Sequence, residues 1–411
     1  MNTSRLTLLL IVALGVVTLF ARNPALYLLT ALVVLMAGAS AVWGRYCLAG
    51  VSYTRRFGAH RLFCGDSTDV WLEIVNAKPL PLAWLSADDE FPVEALVSNV
   101  ELSRTSDSHR RTLSTVLTLR WYERVRRHYR LTFQQRGAFE FGPVVLSSGD
   151  LFGFRTRYLD VAHRQTVVVY PKVVPLEQLN VSAAHPLGDY AIARSLVADP
   201  LRLAGARDYR PGDSLRHVHW KATARRGALQ TKTFDPSASH QLVVFLNAQT
   251  LEHAYEGVVS DYLETAIVVA ASLALAGLEA RYPVGLFTNG TAREARQRVR
   301  LRASRHATQA QTILETLAQL TPLVFFSFED LLQAEAPELP YGATLIAVSA
   351  VVTDSILSAL LDTHRRGHPV ALIVVGQRPE RSRVAAQSKD AHVPIYFVNQ
   401  NWRDLETLTL D

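Results

Sequence analysis

The 411-residue chain contains only two cysteines, Cys47 and Cys64. Two cysteines cannot form a disulfide framework, and their spacing is not that of a zinc site. The sequence also lacks a glycine-rich phosphate loop of the Walker or dinucleotide-binding type, and it has no Gly-x-Ser-x-Gly nucleophile elbow. These absences disfavour the common nucleotide-binding and hydrolytic classes, and they suit a protein in a reducing compartment.

Charge is distributed unevenly along the chain, whose formal net charge is +6. Residues 1–240 carry 29 Lys and Arg against 19 Asp and Glu, whereas residues 241–411 carry 14 against 18. Hydrophobic residues make up 49% of the sequence. A chain of this length and composition can bury more than one core, so two or three domains are expected.

Two long uncharged stretches occupy the amino terminus, at residues 6–21 and 25–44, and only Arg22, Asn23 and Pro24 separate them. A membrane-spanning helix needs about 20 apolar residues, and an Asn-Pro pair favours a tight turn. Residues 1–45 are therefore predicted to form a transmembrane helical hairpin. A cleavable signal peptide is the alternative, but no small-residue cleavage site precedes the second stretch.

The flanking charges predict how this hairpin is oriented. One arginine, Arg22, lies in the connecting loop. Five arginines flank the outer ends of the two spans: Arg5, Arg45, Arg55, Arg56 and Arg61. Because basic residues favour the cytoplasmic side, both termini are expected in the cytoplasm. We therefore expect a multi-pass protein of the cell inner membrane whose soluble domains are cytoplasmic.

The remaining chain changes its hydrophobic period once. Residues 46–180 contain alternating segments such as "DVWLEIVN", "TLSTVLTLRW" and "HYRLTF", which predict an antiparallel β-sandwich of immunoglobulin-like or fibronectin-like type. Residues 241–411 alternate apolar strands with helical stretches at 258–281, 306–320 and 354–366. That alternation predicts a doubly wound α/β domain with mainly parallel strands. Residues 181–240 are left as a joint between the two domains.

This joint contains the segment "RDYRPGDSLRHVHWKATARRGALQTKTF" at residues 207–234. It resembles the signature of the bacterial domain-of-unknown-function family 58 (DUF58). The amino-terminal spans, the stretch at residues 136–154 and "VVVYP" at residues 167–171 agree with the same family. The resemblance implies a carboxyl-terminal domain like von Willebrand factor type A and a MoxR-type AAA ATPase as partner, and no reaction is assigned to the family.

A type A domain can hold Mg²⁺ with an Asp-x-Ser-x-Ser motif after its first strand and an Asp from a later loop. Here the corresponding stretch is "LNAQT", with Asn247, Gln249 and Leu251 at the three ligand positions, and Ser349 stands where the later Asp is expected. Amides and a leucine cannot supply the negative charge that the ion requires. The metal site is therefore predicted to be degenerate, which opposes the alternative of a Mg²⁺-dependent adhesion or chelatase-like module.

Within the signature, the residue pattern predicts a short capped helix. Pro211 and Gly212 form a turn, Asp213 is expected to cap the helix, and Gly227 ends it. An apolar stripe is expected on one face of the helix, flanked by Trp220. Its members are Leu215, Val218 and Ala222. Basic side chains then occupy the rest of the helix surface.

Two interpretations of this segment stay open. Arg207, Asp208, Arg210 and Asp213 could pair internally and lock the two domains together. Alternatively, the basic face could dock an acidic partner surface or anionic lipid, since residues 202–232 carry eight Lys and Arg against two Asp. The candidate docking residues are Arg210, Asp213, Arg216, Trp220, Lys221 and Arg225.

Catalytic and metal-binding interpretations of the same segment are disfavoured. His217 and His219 would point about 200° apart on a helix, so one ion cannot readily bridge them. Ser214 follows Asp213 at a turn but has no assignable His and Asp partners. No catalytic residue and no cofactor is therefore predicted.

A second basic run, "REARQRVRLRASR" at residues 293–305, carries six arginines that partly alternate with apolar residues. This alternation predicts an edge strand with one solvated face. Nucleic-acid binding would favour interleaved aromatic residues, which the run lacks, so it is not expected.

Together these patterns predict a non-enzymatic, membrane-anchored scaffold or adaptor. The expected partners are the membrane, a MoxR-type AAA ATPase and a second copy of the chain. The second alternative to this prediction is a hydrolase of envelope components, which the cytoplasmic orientation and the missing nucleophile oppose.

Overall fold

The computed structural model describes residues 12–18, 20, 23–105, 107–150, 155–176, 203–209, 218–234, 241–292, 295–376 and 393–408. The chain divides into two compact units, Met1–Tyr170 and Pro171–Asp411. The first unit combines the apolar amino-terminal helix with the β domain. The second combines the signature segment with the α/β domain, so the four segments expected from the sequence form two structural units.

Helix α1, Pro24–Tyr46, is the long helix of the first unit. Asn23 caps it by accepting a hydrogen bond from the Ala25 amide, and Pro24 occupies the first turn, where no amide donor is needed. The helix is long and apolar enough to cross a membrane. Residues 12–18 are also helical, and the Thr18 hydroxyl lies 3.3 Å from the Thr30 hydroxyl on α1. The start of the first predicted span, residues 1–11, falls outside the described residues.

The rest of the first unit, as far as the structure describes it, consists of twelve strands. They are β1 (Val51–Phe57), β2 (Arg61–Phe63), β3 (Ser67–Asn76), β4 (Leu82–Pro92), β5 (Ala95–Val97), β6 (Ser103–Arg104), β7 (Arg110–Leu119), β8 (Arg124–Phe133), β9 (Gly137–Phe141), β10 (Val144–Gly149), β11 (Thr156–Val161) and β12 (Gln165–Tyr170). They form three sheets, with strand orders β1-β3-β8-β5, β11-β10-β4-β7-β6 and β2-β12-β9.

The three sheets share one apolar core. Phe141 contacts both Phe57 and Phe91 in this core, with ring centroids 4.8 and 5.0 Å apart. Alternation along β3, where every second residue is buried, is the two-residue period read from the sequence. The domain is not purely antiparallel, however, because β2 pairs in parallel with β12.

Two oppositely charged side chains are buried within this apolar domain. The side chains of Arg55 and Asp89 are almost fully buried and form an ion pair, and the Tyr53 hydroxyl donates to the same carboxylate at 2.6 Å. Gln165 accepts a further hydrogen bond from Arg55 at 3.1 Å. Burial, reinforced by the charge of Asp89, raises the pKa of Tyr53 well above its ordinary value. The pair therefore has the hydrogen-bond partners that a buried charge requires.

The described residues of the second unit form nine strands, two of which make a separate hairpin. The hairpin strands are β13 (Leu203–Asp208) and β14 (Gln230–Phe234), with the short helix α2 (Trp220–Arg226) between them in sequence. The other strands are β15 (Leu242–Leu246), β16 (Val284–Ala292), β17 (Ala295–Ser304), β18 (Leu320–Thr321), β19 (Thr344–Ser349), β20 (Val370–Val375) and β21 (Ile395–Val398). The remaining helices are α3 (Ser260–Glu279), α4 (Gln309–Gln319), α5 (Phe328–Glu335) and α6 (Asp354–Arg365).

The main sheet of this unit has the order β17-β16-β15-β19-β20-β21, with β18 paired to β16. All neighbours from β16 to β21 along this order are parallel, and β17 and β18 pair antiparallel to β16. The predicted α/β sheet with mainly parallel strands is thus confirmed. Helix α3 is also long and apolar enough to span a membrane, but it is mostly buried and contacts β15 and β16, as a core helix does.

The second basic run forms most of the edge strand β17, as its alternation predicted. Arg300 on this strand donates to the buried carboxylate of Glu335 at 2.6 Å and to Glu338 at 3.0 Å. The side chain of Arg302 is 86% exposed. The strand therefore closes the sheet with charged side chains along its free edge.

Candidate functional site

The described part of the signature folds as a hairpin that carries a helix. Strands β13 and β14 pair antiparallel from Leu203 opposite Phe234 to Asp208 opposite Gln230. The Tyr209 amide then donates to the carbonyl of Leu229, which continues the pairing beyond the strands. The chain leaves along β13 and returns through α2 to β14, so the hairpin holds both ends of the signature together.

Helix α2 is short, and its two ends are capped by different residues. The His219 side chain accepts from the Ala222 amide at 3.1 Å, which makes His219 the amino-terminal cap. Gly227 adopts the left-handed conformation, with φ of 69°, and its amide donates to the Thr223 carbonyl. A left-handed glycine at this position is a common helix end, so the predicted end is confirmed.

The start of this helix differs from the sequence prediction. The helix begins at Trp220, and Val218 lies before it in a β-bridge with Thr231, where it is 1% exposed. Val218 therefore belongs to the hairpin and not to an apolar helix stripe. Asp213, the expected cap, and Leu215 lie outside the described residues. The apolar spacing led to a wrong prediction for Val218, because an apolar residue at that spacing is equally compatible with a buried bridge next to a strand.

Three of the predicted docking residues lie on the exposed surface of α2. Trp220 is 69% exposed, and Lys221 and Arg225 are also exposed. Lys221 and Arg225 are four residues apart and thus neighbours on one helix face, whereas Trp220 lies at the first turn. The other three candidates, Arg210, Asp213 and Arg216, fall outside the described residues.

Asp208 is one of the residues that the joint interpretation expects to pair internally. Its carboxylate accepts a hydrogen bond from the Gln230 side chain and lies 3.6 Å from a guanidinium nitrogen of Arg226. Arg207 donates to the backbone carbonyl of Asp208 at 3.1 Å. Since Gln230 is buried, the carboxylate fixes the end of the hairpin next to α2, while its exposed ion pair with Arg226 contributes little. Asp208 therefore has a structural role in the hairpin, whereas the basic face of α2 lies at the surface.

The second candidate position is the end of the α/β sheet, where β15 and β19 finish. Strand order reverses at this pair, and in open α/β sheets the crevice at such a reversal is the usual ligand site. Asn247 follows β15 directly, Ser349 ends β19, and Asn289 lies in the neighbouring β16. We call these three buried residues the carboxyl-end cluster.

Hydrogen bonds within the carboxyl-end cluster use most of its polar atoms. The Asn247 amide nitrogen donates to the Ser349 hydroxyl oxygen at 2.9 Å, and its oxygen accepts from Asn289 at 2.9 Å and from the Gln249 backbone amide at 3.0 Å. The Asn289 oxygen accepts from the Ala248 amide at 2.8 Å. The cluster is therefore a neutral network in which each amide fixes the next.

Ser349 completes this network from the neighbouring strand. Its hydroxyl donates to the Val351 carbonyl at 2.6 Å and accepts from the Val351 amide. The sequence did not lead us to predict Asn289. Its one local signal is a polar asparagine in a strand that is otherwise mostly buried. Among the described residues, no group of three His, Cys, Asp or Glu side chains is placed to hold a metal ion. The cluster offers neutral oxygen atoms that already have donors, which suits packing better than Mg²⁺ coordination.

The fold and the hairpin together define a class: an α/β domain preceded by a strand, a capped basic helix and a returning strand. The model of the family described as "Protein of unknown function DUF58" matches residues 205–382, which confirms the resemblance of this part of the chain. The match covers β14, α2 and most of the α/β sheet. It therefore includes both candidate positions described above.

One similar protein is "Uncharacterized protein YeaD" of Bacillus subtilis (strain 168), which is 30% identical over 236 residues. This match covers 55% of the chain and 54% of the relative, so it spans about half the length of each. This match supports the family resemblance, and the relative's name gives no activity.

Solved structures are similar over a smaller part of the chain. A cohesin module from a Clostridium perfringens family 33 glycoside hydrolase has 12% identity and a TM-score of 0.20, covering 28% of this chain and 96% of that one. A non-cellulosomal cohesin from Archaeoglobus fulgidus has 12% identity and a TM-score of 0.20, covering 29% and 91%. These scores are too low to assign a fold to the chain.

Proposed function

We propose that the chain is a non-enzymatic adaptor, anchored in the cell inner membrane, that presents helix α2 to an acidic surface on a MoxR-type AAA ATPase. The observation that carries this proposal is the exposure of Trp220, Lys221 and Arg225 on a helix held by its own hairpin. Tryptophan and arginine are common anchors of protein interfaces, and an arginine can bind carboxylates with two hydrogen bonds.

The charges of α2 contribute little to its own stability, which supports a role at the surface. A helix of seven residues is too short to be stable in isolation, so its caps and the hairpin hold it. Lys221 and Arg225 are like charges four residues apart, an arrangement that costs a helix about 0.2–0.5 kcal/mol. The helix dipole stabilises the positive charge of Arg225 in the last turn, but it does not stabilise that of Lys221 in the first turn. An acidic partner would relieve this repulsion.

A non-catalytic role is supported by the carboxyl-end cluster. We infer that the α/β domain is a von Willebrand factor type A-like domain whose ligand crevice is filled by Asn247, Asn289 and Ser349. The parallel strands around β15 and the position of the cluster at the strand-order reversal support this assignment. A domain of this kind would act through its outer surface, because the hydrogen-bonding groups of the crevice are already used.

Membrane anchoring by two helices is supported by α1 and by the contact between Thr18 and Thr30. A hydroxyl pair between neighbouring apolar helices is a usual contact of a membrane hairpin. With both termini in the cytoplasm, both structural units would face the cytoplasm and its ATPases. A second copy of the chain stays a further possible partner within this proposal.

The test uses the tagged full-length chain, cross-linked in cells and purified from detergent-solubilised membranes. MoxR-type ATPase peptides recovered with wild type are compared by quantitative mass spectrometry with those recovered with Lys221→Glu/Arg225→Glu. We expect recovery to fall at least tenfold, because reversing two interface charges opposes an acidic partner with repulsion.

A matched control reverses two other exposed arginines at the end of a helix, Arg365 and Arg366 in and after α6. The variant Arg365→Glu/Arg366→Glu changes net charge by the same amount and should keep wild-type recovery. Equal recovery from wild type and the α2 variant, with the same thermal transition, would refute α2 as the docking surface.

A further inference from the structure

The last two turns of α1 pack against the β domain of the same unit. The Ser40 hydroxyl donates to one carboxylate oxygen of Asp150 at 2.7 Å, and the other oxygen accepts from the Arg155 backbone amide at 2.7 Å. Ser40 and Asp150 are 3% and 1% exposed. A buried carboxylate that joins helix and strand turn in this way holds the end of α1 against β10 and β11.

Two neighbouring contacts strengthen this attachment. Gly44 lies against the aliphatic stem of Arg155, so closely that a Cβ at position 44 would lie 3.2 Å from that side chain. Lys78, from the turn after β3, donates to the backbone carbonyls of Cys47 and Ala49, just past the helix end. The β domain therefore contacts the carboxyl-terminal end of α1 and fixes its direction.

The length of α1 determines what lies beside this end. At 1.5 Å per residue, the stretch from Pro24 to Gly44 is about 30 Å long, which is the thickness of a bilayer's hydrocarbon core. If the stretch from Pro24 to Gly44 crosses the membrane, as proposed above, the end of α1 at Arg45 and Tyr46 emerges at the headgroup layer. The attached ends of β10 and β11 then lie in that layer as well.

Three arginines are exposed around this end: Arg45 at the end of α1, Arg155 before β11, and Arg157 on β11. None of them makes an ion pair with another described residue. By contrast, Arg124 and Arg126 on β8 both lie within 3.2 Å of Glu73. The membrane-facing end therefore carries arginines without an acidic partner among the described residues, in contrast to the two arginines of β8.

Aromatic side chains accompany these charges. Tyr46 at the end of α1 is 52% exposed, and Tyr158 on β11 is 72% exposed. Tyrosine is enriched at membrane interfaces because its ring is apolar and its hydroxyl is polar. Free arginines next to exposed tyrosines at this depth match the chemistry of a negatively charged headgroup layer.

We propose that Arg45, Arg155 and Arg157, with Tyr46 and Tyr158, form a site that binds the headgroups of anionic phospholipids. This proposal rests on the membrane anchoring given above and goes beyond it by assigning a lipid class to a defined surface. The guanidinium groups would hydrogen-bond the lipid phosphate, and β11 would lie along the membrane surface. Each arginine close to an anionic surface is expected to contribute a factor of about five to lipid preference.

The test uses the full-length chain in phosphatidylcholine nanodiscs that contain a trace of spin-labelled phosphatidylglycerol or spin-labelled phosphatidylcholine. Electron paramagnetic resonance gives the fraction of each labelled lipid that the protein immobilises. Wild type should prefer phosphatidylglycerol, and Arg155→Gln/Arg157→Gln should lower that preference at least fivefold. Arg45 is left unchanged because it also determines how the helices are oriented.

Two further variants make the result specific. Arg155→Lys/Arg157→Lys keeps the charges and should keep most of the preference. Arg104→Gln/Arg111→Gln removes two exposed arginines from β6 and β7, at the opposite edge of the sheet that contains β11, and should behave as wild type. Circular dichroism verifies that each variant is folded.

Wild-type preference in a folded Arg155→Gln/Arg157→Gln variant would overturn the lipid site, as would an equal loss in the Arg104→Gln/Arg111→Gln control. Both results would leave the membrane anchor and the docking helix untouched. Failure of wild type to enter the nanodiscs would instead refute the anchoring, and the lipid site with it. The two proposals thus fail in different ways.

Discussion

The carboxyl-end cluster and helix α2 are both polar features of the second unit, yet they use their polar groups in opposite ways. In the cluster, Asn247, Asn289 and Ser349 are buried and hydrogen-bonded to one another and to backbone groups. On α2, Lys221 and Arg225 are exposed on one helix face. The polar groups at the strand-order reversal are therefore bonded to one another, whereas the basic groups of α2 are exposed to solvent.

This difference shows that a strongly polar position is a poor guide to function until its hydrogen bonds are known. A buried amide network is costly to disturb, because each group removed leaves a partner without a hydrogen bond. Exposed charges are inexpensive to change, because water replaces what is lost. Stability measurements and partner recovery should therefore respond to different substitutions.

The largest effect is expected from Asn247→Asp. The new carboxylate cannot donate to Ser349 and buries a charge without a cation, at a cost of about 3 kcal/mol. The thermal transition should fall by about 6–12 °C at neutral pH, at about 2–4 °C per kcal/mol. Burial would hold the aspartate's folded pKa above its unfolded one, so the loss should be present at neutral pH and shrink as the pH is lowered. Full recovery in millimolar Mg²⁺ would show that a single carboxylate at position 247 is enough to create a metal site in the cluster, contrary to this expectation.

A smaller loss is expected from Asn289→Ala. The Ala248 amide would lose its acceptor, and Asn247 would lose one of its two donors, at a cost of about 2 kcal/mol. Differential scanning fluorimetry of the full chain measures the change. Asn399→Ala, at an exposed position, is the control and should leave the transition within about 1 °C of wild type. A similar transition in both variants would contradict the network's role.

Gly227→Ala should act only on the signature. Nothing lies within 4 Å of a Cβ built at this position, so the cost is the left-handed backbone alone, about 1 kcal/mol. Hydrogen exchange should become about fivefold faster at the amides of residues 222–227. Gly227→Asn should be milder, because asparagine tolerates this conformation better. Unchanged exchange in Gly227→Ala would argue that the cap does not hold α2.

The smallest effect on stability is expected from His368. This residue precedes β20, so it lies at the other end of the α/β sheet from the carboxyl-end cluster. Burial lowers the pKa of this imidazole below its ordinary value, and its Nδ1 lies 3.3 Å from the Ala343 carbonyl oxygen. The unfolded chain therefore takes up a proton first as the pH falls below about 6.5, and stability is lost from there down to the folded pKa. His368→Gln should reduce the difference between thermal transitions at pH 7.5 and pH 5.5. An unchanged difference would exclude His368 as its source.

The architecture was largely predictable from the sequence because hydrophobic periods report burial. The alternation in β3 and the apolar runs of β15, β19 and β20 each gave the correct element. Helix α5 was missed, since its eight residues combine four buried side chains with acidic ones and show only a short period. The parallel pairing of β2 with β12 was also beyond prediction, because strand partners distant in sequence leave no local signal.

The candidate site was predictable only in part. The end of α2 followed from Gly227, whose conformational freedom has a strong local signature. Its start did not, because His219 is an unusual cap and Val218 has helical spacing while lying in a bridge. Asn289 joins the cluster only through the pairing of β15 with β16, which brings two distant asparagines together. Contacts of this kind depend on the tertiary fold.

Strand β17 has a consequence for assembly. The free edge of a sheet is a template for another strand, and charged side chains along it are a common defence against aggregation. A second copy paired edge to edge through β17 would bring its own basic side chains beside Arg302, whose side chain is mostly exposed, and these like charges would repel. The charge on this strand therefore opposes the growth of a continuous sheet from copy to copy through β17.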